Sequence, residues 1–238
     1  MKNKVKILDA ASMVLLLLLS VVFIFPFYWI LTGAFKSQKV TIKLPPEWFP
    51  LHPTLENFEK LFQNPALQWL INSIFIAGVT LIIVCVAASM AGYVLAKKRF
   101  YGDKLLFSIF VFAMALPKQV ILVPLMKLVS FMGIHDTPWA VILPLCGWPF
   151  GIFLMKQFSE NLEAAKIDGS GEIRTFTSIV MPIVKPGLGA LAIFTFINTW
   201  NDYFMQLVML NSRTNLTISL GVATLQQEFS TNYGVIMA

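Results

Sequence analysis

A run without any charged side chain, from residue 10 to residue 35, is the feature that most limits how this chain folds. About 20 apolar residues are enough for a helix to cross the ~30 Å hydrocarbon core of a membrane, and this run is longer. It follows Lys2, Lys4 and Lys6, as the apolar region of a signal peptide would, but such regions hold only about 7 to 15 residues before small residues at a cleavage site. Here the far end reads PFYW, so we predict a retained first span that ends in an aromatic belt.

Further apolar segments predict a membrane protein throughout. The chain of 238 residues is 57% hydrophobic and 13% charged, whereas soluble domains average roughly 45 to 50% apolar and about 25% charged. We therefore predict an all-α, polytopic transmembrane helical bundle. Its organisation is an N-terminus at 1–9, a first span at 10–35, a loop at 36–68 with a short amphipathic helix in TLENFEKLF, and a core at 69–238.

Four more spans are predicted within this core, which makes five in all. They cover Trp69–Ala96, a segment that starts at Leu105 and is interrupted by Pro117 and Lys118, Thr137–Met155, and Pro186–Leu210. Small residues in the second span would let a neighbouring helix approach closely; they are Ala87, Ala88, Ser89, Ala91 and Gly92.

The positions of the basic residues predict the orientation of the chain. With a cytoplasmic N-terminus, eleven Lys and Arg residues fall in cytoplasmic segments and six in outside segments, and Lys118 is unassigned. This orientation places residues 157–185 in the cytoplasm and the loop at 36–68 outside.

A lysine at the centre of a lipid-facing helix costs about 2.5 to 3.5 kcal/mol, so we expect Lys118 near an interface or in a polar cavity.

Few residues are of the types that carry catalysis or bind metals. Cys85 and Cys146 lie in apolar runs without the spacing of a disulfide framework or a zinc site, and His52 and His135 stand alone in predicted loops. A membrane-embedded enzyme would need convergent His, Asp or Glu side chains. No GxxxxGK[ST] phosphate-binding loop occurs in the sequence. We therefore expect a protein that is not an enzyme.

One polar stretch, EAAKIDGSGEIRTFTSIVMP at Glu163–Pro182, stands out among the apolar segments. Ser159 is a candidate cap for a short helix through Ile167, and Gly169 stands where a left-handed residue would end that helix. Ser170 is a candidate cap for a second helix, and Pro182 would mark the turn back toward the membrane. Two short helices that meet at a glycine suit a groove on a partner protein, but an ordinary solvated loop between spans explains the same residues.

The spacing within this stretch resembles the EAA loop of ABC importer permeases. The matching positions are Glu163, Ala164 and Ala165, then Gly169, then Ile179 and Pro182, with Met181 where leucine is usual. Five other segments are similar to the maltose-type permeases that import carbohydrates: PPEWFP, TLENF, LPKQVILVPL, GIHDTPWAVILP and FTFINTWNDYF. Tyr233, Gly234, Met237 and Ala238 are similar to the start of that family's sixth helix, so by this comparison the sequence stops where a sixth span begins.

The resemblance implies an assembly with several partners in a bacterial inner membrane. Two homologous permease subunits would form the pore, two ATPase subunits would each accept one EAA loop, and an extracytoplasmic binding protein would deliver the sugar. ATP would be hydrolysed by the partners, and this chain would bind no cofactor and no metal. Glu163 would contact the ATPase groove, Ala164 and Ala165 would permit close packing, and Gly169 would set the turn. Asp168 would cap the helix or contact the partner, although a residue beside glycine also serves as a simple helix terminator.

A polar group in the last predicted span is the candidate for the substrate path. It consists of Asn198, Trp200, Asn201 and Asp202, and amide, carboxylate and indole groups are those that a sugar-binding surface uses. Alternatively, Asp202 lies near the outer interface and only anchors the helix. The loop is also shared by permeases for other small solutes, such as glycerol phosphate, phosphate or polyamines. A secondary transporter or channel would explain the spans but not the spaced hairpin.

Overall fold

The computed structural model of this protein describes residues 2–160, 171–228 and 232–238. None of these residues forms a β-strand, so the all-α prediction is confirmed. The helices are α1 (Lys2–Ala34), α2 (Gln38–Thr41), α3 (Glu56–Phe62), α4 (Ala66–Lys97), α5 (Asp103–Met114), α6 (Lys118–Phe131), α7 (Pro138–Cys146), α8 (Phe150–Glu160), α9 (Glu172–Thr175), α10 (Met181–Trp200), α11 (Phe204–Met209), α12 (Ile218–Glu228) and α13 (Tyr233–Met237).

Four helical segments of the described chain are long and apolar enough to cross a membrane. They are Ser12–Ala34, Ala66–Lys97, Pro138–Glu160 and Glu172–Trp200. A fifth crossing is possible if α5 and α6 act together, although they are bent by 104° at their junction. The interruption that the sequence predicts at Pro117 is therefore confirmed.

The predicted bounds of the last two spans were wrong. The fourth span does not end at Met155, because α8 continues to Glu160; Ser159 is consequently a buried residue inside this helix and not the cap of a new one. The fifth span does not cover Pro186–Leu210, because the spanning helix runs from Glu172 to Trp200 and the chain then breaks before α11. Charged residues near the ends of these helices were mistaken for loop residues.

Pro182 does not mark a turn either, because helical backbone continues through it. A π-helical turn at Phe176–Val180 lies between α9 and α10, and Pro182 follows in the first turn of α10. A proline inside a helix has no N–H to donate and its ring crowds the carbonyl four residues earlier. A widened π turn is one of the ways in which a helix accommodates such a local mismatch.

The chain divides into two compact units, and each has its own packing. One comprises Met1–Ala66 and Val222–Ala238, in which α13 packs on α1, α2 and α3. Here the buried Asn57 donates hydrogen bonds to the carbonyl oxygens of Ala34 and Lys36, both at 2.8 Å. Asn57 thereby satisfies carbonyl groups at the end of α1, which the helix itself leaves without donors.

The other unit, Leu67–Gly221, contains a core where α4, α8 and α10 meet. Gly92 on α4 allows the closest approach: a Cβ placed there would lie 2.7 Å from both the backbone N of Lys156 and the Cβ of Met155. The prediction that small residues of this span admit a neighbouring helix is confirmed at this crossing. Ala88, Met155, Val184 and Leu191 are buried in the same core.

Candidate functional site

Two helix breaks in the unit Leu67–Gly221 bring polar residues together. The first lies between α5 and α6, where Pro117 adopts extended backbone (φ −61°, ψ 128°) and Lys118 becomes the first residue of α6. The second follows Trp200, the last residue of α10. There the Oδ1 atom of Asp202 accepts a hydrogen bond from the backbone N–H of Met205 at 2.9 Å, which caps the start of α11.

An ion pair joins these breaks. The Nζ atom of Lys118 lies 3.7 Å from Oδ2 of Asp202, and it also lies 5.2 Å from the ring centroid of Trp148. The Asp202 side chain is only 10% exposed, whereas that of Lys118 is 33% exposed. Lysine and aspartate are rare in membrane-spanning helices, where they face cavities or partners and mark pathways for solutes.

The ion pair borders a cavity of about 360 Å³. We call it the two-break cavity; its lining residues are Lys118, Gln119, Leu122, Ile197, Asn198, Asn201, Asp202, Tyr203, Phe204 and Met205. A smaller cavity of about 110 Å³ shares Lys118 and Asn198 with it and adds Trp148, Thr195 and Thr199, among others. Amide, hydroxyl, carboxylate and ammonium groups thus converge on a mostly apolar wall, which is the composition of a small-molecule site.

The structure brings together three of the four residues that the sequence singles out for this path. Asn198, Asn201 and Asp202 line the two-break cavity, whereas Trp200 lines neither cavity. The ring of Trp200 stacks on Phe196 with a centroid separation of 5.5 Å. The amide groups of Asn198 and Asn201 donate to carbonyl oxygens one turn earlier in their own helix, at 2.8 and 3.0 Å.

A buried polar network supports the end of α10. Gln206 is 1% exposed; its Nε2 donates to the carbonyl oxygen of Thr199 at 3.1 Å, and its Oε1 accepts from the hydroxyl of Thr217. A glutamine within the apolar run FMQLVM is the signal that sequence reasoning missed. Because each buried polar group has a partner, the network holds the second break in one geometry.

A loop outside the spans is organised by Asp136. This residue has a positive φ of 58°, and its Oδ1 accepts hydrogen bonds from the backbone N–H groups of Asn211 and Ser212 at 2.8 and 3.0 Å. Partial burial would raise the pKa of the Asp136 carboxyl, but the hydrogen bonds from Ser212, Asn211 and Asn215 outweigh it and lower the pKa to about 2. Asp136 is therefore ionised at neutral pH and fixes the turn that follows α11.

The predicted coupling loop is described only in part. Glu163, Ala164, Ala165, Asp168 and Gly169 lie outside the described residues. Of the other two positions, Ile179 is half-buried in the π-helical turn and Pro182 lies in the first turn of α10.

Glu172, at the start of α9, contacts the end of α4. Its Oε1 pairs with Nζ of Lys98, and its Oε2 accepts a hydrogen bond from the hydroxyl of Tyr93 at 3.4 Å. The hydrogen bond from Lys98 to Glu172 raises the pKa of the lysine, with a further contribution from the opposite charge. The ring of Tyr93 lies 5.4 Å from that of Phe176. These contacts attach the described second half of the predicted coupling loop to the end of α4.

Known proteins resemble this chain over nearly its whole length. The arabinooligosaccharides transport system permease protein AraQ of Bacillus subtilis is 28% identical over 231 residues, which cover 93% of this chain and 82% of that protein. The diacetylchitobiose uptake system permease protein NgcG of Streptomyces coelicolor is 29% identical over 239 residues, covering 96% and 79%.

A solved structure has the same fold. One chain in the crystal structure of a bacterial ABC transporter involved in the import of the acidic polysaccharide alginate matches with a TM-score of 0.81. The match covers 98% of this chain and 90% of that one, at 18% sequence identity.

The family follows from residues 88–238, which match the model of the binding-protein-dependent transport system inner membrane component. This match covers more than half of the chain, and the apolar helices and the relatives agree with it. Members of this family are transport permeases and not enzymes. The chain therefore belongs to the binding-protein-dependent transport system inner membrane component family, and it is a multi-pass permease of an ABC importer.

Proposed function

We propose that the chain is one of two permease subunits of an ATP-driven carbohydrate importer, and that the two-break cavity lies on the path of the sugar. The observation that carries this proposal is the convergence of Lys118, Asn198, Asn201 and Asp202 where two membrane helices break. Membrane transporters often build substrate sites from discontinuous helices, because the free backbone ends and nearby polar groups can then bind a solute. Two relatives named for oligosaccharide transport support the substrate class.

The charge balance of the cavity favours a neutral sugar over the charged alternatives. The only two ionic side chains among its lining residues, Lys118 and Asp202, are paired with each other. A polyamine would have to compete with Lys118 for the carboxylate, and a glycerol phosphate would have to compete with Asp202 for the ammonium group. Hydroxyl groups of a neutral sugar can instead bind to the side-chain amides of Asn198 and Asn201. They can also bind to the remaining acceptor positions of Asp202 and donor positions of Lys118, without separating the two charges.

Coupling to ATP hydrolysis is proposed for the EAA loop at 157–185. Glu163 and Asp168 would contact a groove of the ATPase, Ala164 and Ala165 would allow close packing, and Gly169 would form the turn. One helical segment, Glu172–Trp200, begins within this stretch and extends to the two-break cavity. When ATP closes the ATPase dimer and draws the two coupling loops together, this helix would carry the movement to Asn198 and Asn201.

The proposed orientation places the N-terminus and the coupling loop in the cytoplasm and the loop at 36–68 outside. The proposed partners are a homologous permease, an ATPase dimer and an extracytoplasmic sugar-binding protein, with ATP bound only by the ATPases. Affinity purification of the chain followed by mass spectrometry would identify these partners. The reconstituted complex then provides the assay, which is ATP-dependent uptake of the sugar that its binding protein carries.

Asp202→Asn tests the path without removing the helix cap. Asparagine can still accept the hydrogen bond from Met205, so α11 keeps its cap while the charge opposite Lys118 is lost. We expect sugar uptake to fall strongly while ATPase assembly remains. The matched control is Asp103→Asn, which removes a carboxylate that pairs with Arg99 at 3.5 Å and does not line the cavity. Normal uptake by both Asp202→Asn and Asn198→Ala would refute the path.

Gly169→Asp tests the coupling loop separately. A side chain at a turn that favours glycine is penalised, so docking of the ATPase and transport should both be lost while membrane insertion persists. Gly189→Ala is the control, because a Cβ at Gly189 meets nothing within 4 Å. If Gly169→Trp still supported uptake in vesicles, docking through this loop would be disproved.

A further inference from the structure

A short loop after α1 folds back along that helix. We call residues 43–51, with the sequence KLPPEWFPL, the Pro-Trp loop. The hydroxyl of Tyr28 donates a hydrogen bond to the carbonyl oxygen of Trp48 at 2.9 Å. The ring of Trp48 lies 5.9 Å from that of Trp29, in an edge-on arrangement, and 6.0 Å from that of Phe25. The loop is thus attached to the side of α1 and not merely to its end.

The residues that Trp48 contacts lie well inside the end of the helix. At about 1.5 Å of rise per residue, Trp29 is ~8 Å and Phe25 ~14 Å from Ala34, the last residue of α1. The candidate span is Ser12–Ala34; its residues from Ser12 to Tyr28 are exposed, and only Thr32, Gly33 and Ala34 at its end are buried. About 20 of these 23 residues suffice to cross the hydrocarbon core. Trp48 therefore lies beside the second half of this span and not beyond its end.

The Pro-Trp loop turns apolar side chains outward at this level. The exposed fractions are 87% for Leu44, 58% for Trp48, 64% for Phe49 and 71% for Leu51. Four large apolar groups on a short loop would be unfavourable in water, whereas tryptophan and other aromatic residues are enriched at membrane interfaces. Lys43, at the start of the loop, is exposed and can extend toward the head groups.

Polar groups of the loop are satisfied on the side that faces the protein. The Nζ atom of Lys36 donates to the carbonyl oxygen of Glu47 at 2.5 Å and lies 4.7 Å from the ring centroid of Trp29. The Oε1 atom of Glu47 accepts a hydrogen bond from the backbone N–H of Leu51 at 3.0 Å. A loop can enter the boundary of the hydrocarbon only if such groups have partners, and here several of them do.

We propose that the Pro-Trp loop is a lipid anchor, with Leu44, Trp48, Phe49 and Leu51 inserted at the interface of the leaflet where α1 ends. Lipid is the occupant to which the structure points, because the loop adds exposed aromatic and apolar side chains to a span whose residues from Ser12 to Tyr28 are all exposed. The anchor would hold the entry to α3 at a constant depth. It does not depend on the nature of the transported solute.

A fluorophore placed on the loop tests this inference in the assembled importer. Phe49→Cys and, as a control, Glu59→Cys on α3 are labelled with an NBD maleimide; Glu59 is exposed and belongs to the same unit. Cys85 and Cys146 are partly buried within spans, and the labelled wild type measures their background. The complexes are reconstituted in vesicles of phosphatidylcholine and phosphatidylglycerol that contain phosphatidylcholine with a nitroxide near the head group.

At position 49 we expect emission at shorter wavelength than at position 59, and loss of more than half of the emission to the lipid nitroxide. Iodide in the buffer should quench position 59 instead. Strong quenching of position 49 by iodide alone would mean that the loop lies in water, which overturns the proposal. Protection from both quenchers would mean that a protein covers it, which also overturns it. Tyr28→Phe, which removes only the hydrogen bond to Trp48, should reduce the lipid quenching at position 49.

Discussion

Replacing Gly92 by alanine should destabilise the core where α4 crosses α8. The new Cβ would lie 2.7 Å from the Cβ of Met155 and 2.7 Å from the backbone N of Lys156. Carbon atoms prefer separations of about 3.5 to 4.0 Å, so the two helices would have to move apart by roughly 1 Å. The contacted atoms belong to the backbone or are bonded to it and cannot rotate away. Overpacking of this kind costs about 1 to 3 kcal/mol.

The matched control lies on the same helix. A Cβ at Gly78 meets nothing within 4 Å, so Gly78→Ala should keep the stability or raise it by up to about 1 kcal/mol through helix propensity. Thermal unfolding of the purified protein in detergent gives the comparison. At about 2 to 4 °C per kcal/mol for a protein of this size, Gly92→Ala should lower Tm by about 2 to 12 °C. If the two variants unfolded at the same temperature, the close crossing at Gly92 would be refuted.

Three further outcomes are expected. Asn57→Ala leaves the carbonyl oxygens of Ala34 and Lys36 without their buried donor and should cost about 1 to 3 kcal/mol in thermal unfolding, whereas exposed Gln63→Ala should not. The pKa of Asp136 is lowered from 3.8 to about 2, so its carboxylate stabilises the fold at any pH above 3.8. Asp136→Asn should therefore lower Tm near neutral pH, and the difference in Tm from the wild type should shrink as the pH falls toward 2. Glu172→Gln should leave Tm unchanged, because both partners in its pair with Lys98 are largely exposed; a clear loss of Tm would contradict this.

The long spans could be predicted from the sequence because an uncharged run has few other folds available to it. Helix α4 spans Ala66–Lys97, close to the predicted segment, and the bend at Pro117 follows from proline chemistry. The fifth span could not be bounded in the same way. Its helix begins at Glu172 and continues past Lys185. When the ends of a span are predicted from charged residues, the polar ends of a helix longer than the hydrocarbon core are assigned to loops.

The candidate cavity depends on contacts that no local pattern contains. Asn198 and Asn201 are three residues apart and share one face of α10, whereas Trp200, two residues from Asn198, points to a different side. These different directions of the asparagine and tryptophan side chains follow from helical geometry, once the helix is known to reach Trp200. Lys118 differs, because the sequence allowed either an interface or a polar cavity for it and only the fold brings it to Asp202.

The placement of the ion pair also explains why a costly pair of charges is kept inside this protein. A lysine and an aspartate on one continuous helix could be replaced by apolar residues at little loss of stability. Here each charge lies at the end of a broken helix, where Asp202 caps α11 and Lys118 starts α6, so the pair joins the two breaks across the cavity. Under the function proposed above, a neutral sugar would bind beside this pair without separating the charges, so we expect the two breaks to stay joined while the cavity is occupied.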